Sequence, residues 1–247
     1  MKPETVITPL QNVAAQQSAE SSQLITDKLS AFTAARNTHA ASMKELKEID
    51  TSIERCKQER QTALSESAEA EQDWRSRFRT LRGNLTPEMK AEHSRRIASR
   101  ELADEFTGLV AELETDRTRA MLKACSTASK YLSAHDDAFT TYAGAEWAQA
   151  VNTLPAALIR AFLLRIRALE MQGDSAPQSV AIGELRDALS RQGSLYHFDM
   201  EQEPVLSVTG MHRPQINGVD MELLRSTEKR MMLARKLAGN GETKAEV

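Results

Sequence analysis

The chain has 247 residues, 32 of them Lys or Arg and 35 Asp or Glu, for a net charge of −3. That balance argues against a protein built chiefly to coat nucleic acid, which draws its affinity from a large positive excess. Aromatic residues make up only 4% of the chain, and abundant Ala, Glu, Arg, Leu and Ser favour helix over strand while leaving little bulk for a thick core.

Residues 1–21 lack the apolar run of a signal peptide and read as a disordered arm. From about residue 22 to 82 nothing breaks a helix: no glycine precedes Gly83, and no proline lies between Pro9 and Pro87. Ile25, Leu29, Phe32, Met43, Leu46, Ile53 and Leu64 fall on alternating four- and three-residue steps. Ile49 and Cys56 continue a neighbouring row, and Arg36, His39, Asp50, Lys57 and Arg60 interrupt the series. The spacing predicts an imperfect heptad seam on a helix of roughly 85–90 Å.

The break is GNLTPE. Gly83 suits a helix C-cap, Thr86 an N-cap, and Pro87 a first helical position, where its missing N–H costs nothing. A second helix is expected from Pro87 to about Tyr142, carrying Ile97, Leu102, Phe106, Leu109, Leu113, Met121, Tyr131, Leu132 and Phe139. A turn this short predicts an antiparallel hairpin over 22–145, turning near 83–86. In that register Cys56 lies level with about Leu113, which argues against a Cys56–Cys125 disulfide within the hairpin.

After Gly144 shorter helices are expected near 146–153, 155–171 and 178–191, and residues 146–200 read as an assembly region. Leu158, Phe162, Ile166 and Leu169 make one stripe with Ile159 and Leu163 beside it, a broad apolar face suited to self-association. Within 201–247 the run PVLSVTG is the best strand material, followed by a helix near 219–238 and a disordered tail. Leu224 and Met231 on that helix are further self-association candidates. The most apolar run, LPAALIRAFLLRIRALEM, is broken by Arg160, Arg165 and Arg167, so no membrane span is expected and the reading is a soluble intracellular protein. The fold class is all-α: an elongated antiparallel hairpin of two long helices, with a smaller helical C-terminal part holding at most one short strand or hairpin.

No constellation of catalytic residues emerges, and the reading is not an enzyme. His39, His93, His135, His197 and His212 are scattered. On a strand His197, Asp199, Glu201 and Glu203 would share one face, but without a second ligand cluster they read as a solvated polar edge. GNGETK lacks the ending of a phosphate loop. No metal or cofactor is expected. Charge is more informative. Between residues 73 and 101, Arg75, Arg77, Arg79, Arg82, Lys90, Arg95, Arg96 and Arg100 outnumber Asp73, Glu88, Glu92 and Glu101. The hairpin tip is therefore basic and suits an acidic surface. Trp74, Phe78 and Leu81 form an apolar stripe expected to pack the corner, with Arg75, Arg79, Arg82, Arg95 and Arg96 left for a partner. A further reading is nucleic-acid binding through the basic tip, with Arg75, Arg79 and Arg82 as its contacts, which the overall charge disfavours.

The stretch DWRSRFRTLRGNLTPEMKAEHSRRIASRELADEF resembles the capsid size-determination (Sid) proteins of satellite bacteriophages. Asp73-Trp74-Arg75, Phe78-Arg79, Gly83, Leu85, Glu88, Lys90, His93, Arg96, Arg100-Glu101-Leu102 and Glu105 carry the resemblance, with Ala124-Cys125 and EPVLSVTG further on. The resemblance implies an external scaffold that builds a cage around a helper-phage procapsid. The cage would direct the major coat protein into a smaller icosahedral shell suited to a satellite genome. The implied partners are the helper's coat protein and further copies of the chain itself. The implied place is the host bacterial cytoplasm, on the outside of the procapsid and absent from the mature virion. A second reading rests on VTGMHRPQINGVDMELLRSTEKRMMLARKLAG, which is faintly similar to a satellite-phage polarity-suppression protein. It implies a coiled-coil regulatory or capsid-decorating protein that binds a host transcription-termination factor.

Overall fold

A computed structural model describes residues 7–242. Helix α1 spans Ile7–Thr80 and α2 spans Pro87–Asn152. Shorter helices follow: α3 (Ala156–Met171), α4 (Pro177–Gly193), α5 (Pro204–Thr209), α6 (Met221–Arg225) and α7 (Thr227–Glu242). No strand occurs among the described residues, and none of their helices is long and apolar enough to cross a membrane. The chain divides into two compact units. One joins the chain up to Thr33 with Leu132–Pro214; the other joins Ala34–Tyr131 with the chain from Gln215 onward.

Several boundaries differ from the sequence pattern. Helix α1 already begins at Ile7, inside the arm expected over 1–21. Residues 1–6 and 243–247, the ends of the expected disordered arm and tail, lie outside the described residues. Helix α2 does not stop near Tyr142 but runs through Gly144 to Asn152. A glycine inside a helix costs only about 1 kcal/mol, which the flanking helix formers absorb. The strand expected in PVLSVTG is helix α5 instead. Pro204 occupies the first helical turn, and Leu206 and Thr209, three apart, are the buried pair. That burial pattern overrides the strand preference of Val and Thr.

In the unit built on Ala34–Tyr131, α1 and α2 lie antiparallel. Glu45 meets Lys123 at 2.6 Å, Asp50 meets Arg117 at 2.6 Å and Lys57 meets Glu114 at 3.7 Å, so partners advance in opposite directions. Lys57–Glu114 puts Cys56 beside the 113–114 level. Cys56 and Cys125 are both buried free thiols. The seam passes through His39, Ser42, Leu46, Ile53, Cys56, Ala63 and Ser67, on three-, four- and seven-residue steps. Opposite them, Ala103, Val110, Ala120, Ala124 and Ala128 are buried on α2.

Larger apolar residues that the sequence places in the seam are on the outside. Leu64 is 43% exposed, Ile97 41%, Leu102 51% and Leu109 42%. Small residues allow close approach of two helices, so Ala63 rather than Leu64 takes the contact position. A strap then crosses this pair. Val219 packs with Leu46, Ala120 and Ala124, the Asp220 N–H donates to Met121 Sδ at 3.4 Å, and the Cys125 thiol donates to the Asp220 carbonyl at 3.6 Å. Beyond it Asp220 caps α6 by accepting from the N–H groups of Glu222 and Leu223. The Arg230 guanidinium donates to the carbonyls of Leu223 and Leu224, both at 2.7 Å, which fixes α7 against the end of α6.

In the other unit, Phe32 on α1 is 1% exposed and meets the edge of the His135 ring on α2 at 5.7 Å. Lys28 pairs with Asp137 at 3.4 Å. Helix α3 packs on α4, with a two-pronged Arg165–Glu184 pair at 2.7 and 2.9 Å. The Tyr142 hydroxyl donates to Glu203 at 2.8 Å, just ahead of α5.

Candidate assembly surfaces

The α1–α2 turn and the exposed side of α3 and α4 are the two surfaces whose residues best suit contact with other molecules. At the turn, Trp74 and Phe78 stand one helical turn apart on α1, and their rings stack. Trp74 reaches across to α2, where its ring lies 5.3 Å from that of His93, and the Arg96 guanidinium sits 5.7 Å above its face. Arg96 also donates to His93 Nδ1 at 3.2 Å and pairs with Glu71 at 3.5 Å. On the α2 side Thr86 caps the helix, accepting from the Met89 N–H at 3.3 Å, and Met89 is 2% exposed. The backbone N–H of Glu88 itself, then the Thr86 hydroxyl, hold the Glu88 carboxyl below its usual range.

The basic residues at this tip divide into two groups. Arg75 pairs with Glu71, Arg77 with Glu92, and Arg96 with Glu71 and the Trp74 ring. Arg79, Arg82 and Arg95 are exposed and make no ion pair among the described residues. Leu81, expected in the corner packing, is 42% exposed, and Leu85 is 47% exposed. The stripe is expected to pack across to α2 near Met89 and Ile97; Met89 is buried there while Ile97 is 41% exposed. The residue that sequence reasoning missed in this packing is His93, because a histidine carries a weak hydrophobic signal.

On α3 the expected self-association stripe is the inward side. Leu169 is 5% exposed, Leu158 is 37% exposed, and Phe162 and Ile166 are half-buried. The neighbouring row is the open one: Ile159 is 47% exposed, Leu163 59% and Leu164 54%. Helix α4 adds exposed Ile182 and Leu189, and the segment after it adds Leu195, Tyr196 and Phe198. On the C-terminal helices Leu224 is half-buried and Met231 exposed.

Neither surface has the features of a reaction centre. His197, Asp199, Glu201 and Glu203 do not share a strand face, because 196–199 is irregular. Asp199 instead accepts from the Glu201 N–H, and Glu203 is engaged by Tyr142. No group of three or more metal-ligating side chains occurs among the described residues. Burial, then the hydrogen bond to Glu203, pushes the Tyr142 phenol up to about 12, so it remains a donor. Burial likewise raises the pKa of the Cys125 thiol, partly opposed by its hydrogen bond to the Asp220 backbone.

No family model matches the chain. In sequence it is 30% identical over 215 residues to Glycoprotein 3 of Enterobacteria phage P4, an alignment covering 84% of this chain and 88% of that protein. In structure it is similar to the size determination (Sid) protein in the procapsid of satellite phage P4. The TM-score is 0.79 at 29% identity, covering 91% of this chain and 100% of the other. On this likeness in sequence and in fold, the chain belongs to the capsid size-determination (Sid) family of satellite bacteriophages.

Proposed function

We propose that the chain is an external capsid scaffold. Copies of it assemble as a cage on the outside of a procapsid made of helper-phage coat protein and direct that coat into a smaller icosahedral shell. The observation that carries this reading is the structural likeness to the procapsid size-determination protein, which takes in the whole length of that chain.

The described residues suit the role. A cage that grips a lattice at many equivalent points needs only weak single contacts, because they add through multivalency. Arg79, Arg82 and Arg95, without an ion-pair partner among the described residues, supply such a contact for acidic coat surface. Arg75 and Arg96 contribute less, being engaged with Glu71. The open row Ile159, Leu163 and Leu164, with Leu158 at its edge and Met231 on α7, supplies apolar surface for contact between copies. The protein acts in the cytoplasm of the infected bacterium and leaves before the virion matures.

Co-sedimentation tests the reading. The purified chain, mixed with procapsids of the helper's coat and internal scaffold, is expected to pellet with them. Failure to pellet, with retention of a host transcription-termination factor from lysate, would point to the regulatory reading instead.

A further inference from the structure

The turn after α1 closes the helix with a particular pair of hydrogen bonds. The Gly83 N–H donates to the Phe78 carbonyl at 3.0 Å, and the Arg82 N–H donates to the Arg79 carbonyl at 3.1 Å. These are the two bonds of a Schellman motif, in which the residue just past the cap takes the left-handed conformation. Glycine usually holds that place, because a Cβ is crowded against the neighbouring carbonyl there. Here the residue is Arg82, at φ +50°, the only non-glycine residue with positive φ among those described. The glycine stands one place later, at φ +87°.

Inside the chain the Arg82 side chain does nothing to offset that strain. It is exposed and makes no ion pair or side-chain hydrogen bond among the described residues. Strained backbone that the chain's own contacts do not reward is a pointer to function. The surroundings indicate the kind of partner. Leu81 and Leu85 flank Arg82 on the same turn and are 42% and 47% exposed. Arg79 lies three residues before it, also unpaired. Exposed leucines interleaved with unpaired arginines match a protein surface that offers apolar ground beside carboxylates. A phosphate backbone would leave the two leucines unmatched, and the nearby Asp73 and Glu88 would oppose it.

We propose that Arg82 is the leading contact of the α1–α2 turn with an acidic, partly apolar patch on the coat lattice, retained there at the expense of the turn's stability. This rests on the scaffold reading given above. The test compares full-length Arg82→Gly, Arg82→Lys and wild type, by thermal unfolding and by co-assembly with the helper's coat and internal scaffold. Arg82→Gly is expected to unfold at a higher temperature yet to give several-fold fewer small shells. Arg82→Lys, which keeps the charge and the strain, is expected to stay close to wild type in both. Small shells at wild-type yield with Arg82→Gly would overturn the proposal, as would a lower unfolding temperature for that variant. So would a loss confined to binding of duplex DNA or RNA at low salt. Wild type is the internal control: if it produces no small shells, the scaffold reading has failed rather than the role of Arg82.

Discussion

The indole of Trp74 lies nearly parallel to the ring of Phe78, centroids 4.9 Å apart and planes 13° from parallel. This pair, with His93 and Arg96 on the facing helix, joins the ends of α1 and α2. One atom of this cluster is out of place: Trp74 Nε1 is buried without a hydrogen-bond partner among the described residues. A buried unpaired donor costs about 1–3 kcal/mol. Trp74→Phe removes it and is expected to change stability by less than about 1 kcal/mol. Trp74→Ala loses the stacking and the Arg96 contact, and about 2–3 kcal/mol with them. Urea unfolding of the two variants separates these effects. An equal loss in both would show that the indole nitrogen has a partner.

Gly218 tests the strap over the small-residue core. Its φ is +78°, and a Cβ there would lie 3.0 Å from Met43 Cε. The methionine end can swing aside, so the backbone conformation sets most of the cost. Gly218→Ala is expected to lose about 1–2 kcal/mol, with faster amide exchange at 219–225. Gly108 and Gly144 are the controls. Both are helical, and nothing lies within 4 Å of an added Cβ. Alanine at either is expected to gain about 0.5–1 kcal/mol.

His39 makes the seam sensitive to acid. Its Nδ1 lies 3.2 Å from Thr127 Oγ1, and its ring stacks on Tyr131 at 5.9 Å. Burial holds its pKa below the ordinary 6.5, partly opposed by a hydrogen bond to the Ala124 backbone. The unfolded chain thus takes up this proton at higher pH than the folded one. The stability linked to His39 is complete above pH 6.5 and drains as pH falls from there towards the lowered folded value. His39→Leu is expected to flatten that part of the pH–stability curve, read by urea unfolding between pH 7.5 and 5 in buffers of equal ionic strength. An unchanged slope would remove His39 as its source.

The two sides of α3 predict different phenotypes. Leu169, 5% exposed, belongs to the chain's own packing, so Leu169→Ala is expected to cost about 2–4 kcal/mol. Leu163, 59% exposed, does not, so Leu163→Ser is expected to leave stability within about 0.5 kcal/mol while weakening association between copies. Sedimentation velocity over a range of concentrations measures the second effect. Unchanged association by Leu163→Ser would take this row out of the proposed interface.

These outcomes bear on what the residues alone make legible. The two long helices and their break follow from an absence, since no glycine precedes Gly83 and no proline lies between Pro9 and Pro87. The seam does not follow so directly. Ala103, Ala120, Ala124 and Ala128 are buried, yet alanine contributes little to any hydrophobic pattern, while Leu64, Leu102 and Leu109 dominate the pattern and face out. The stripe Leu158, Phe162, Ile166 and Leu169 is visible as a stripe, but periodicity cannot say whether its cover is α4 or another molecule. Likewise the basic tip is visible as a cluster. Only the side-chain partners separate Arg96, engaged with Trp74 and Glu71, from the unpaired Arg82. The left-handed backbone at Arg82 has no sequence signal, because Gly83 beside it attracts the assignment.

The central claim is that this chain sets the size of a shell from outside it. The most direct measurement is electron microscopy of particles formed when the helper's coat and internal scaffold are expressed with and without this protein. The account predicts a shift to smaller shells carrying an outer protein layer when the chain is present. Shells of unchanged diameter with no outer layer, formed alongside soluble and folded protein, would contradict it.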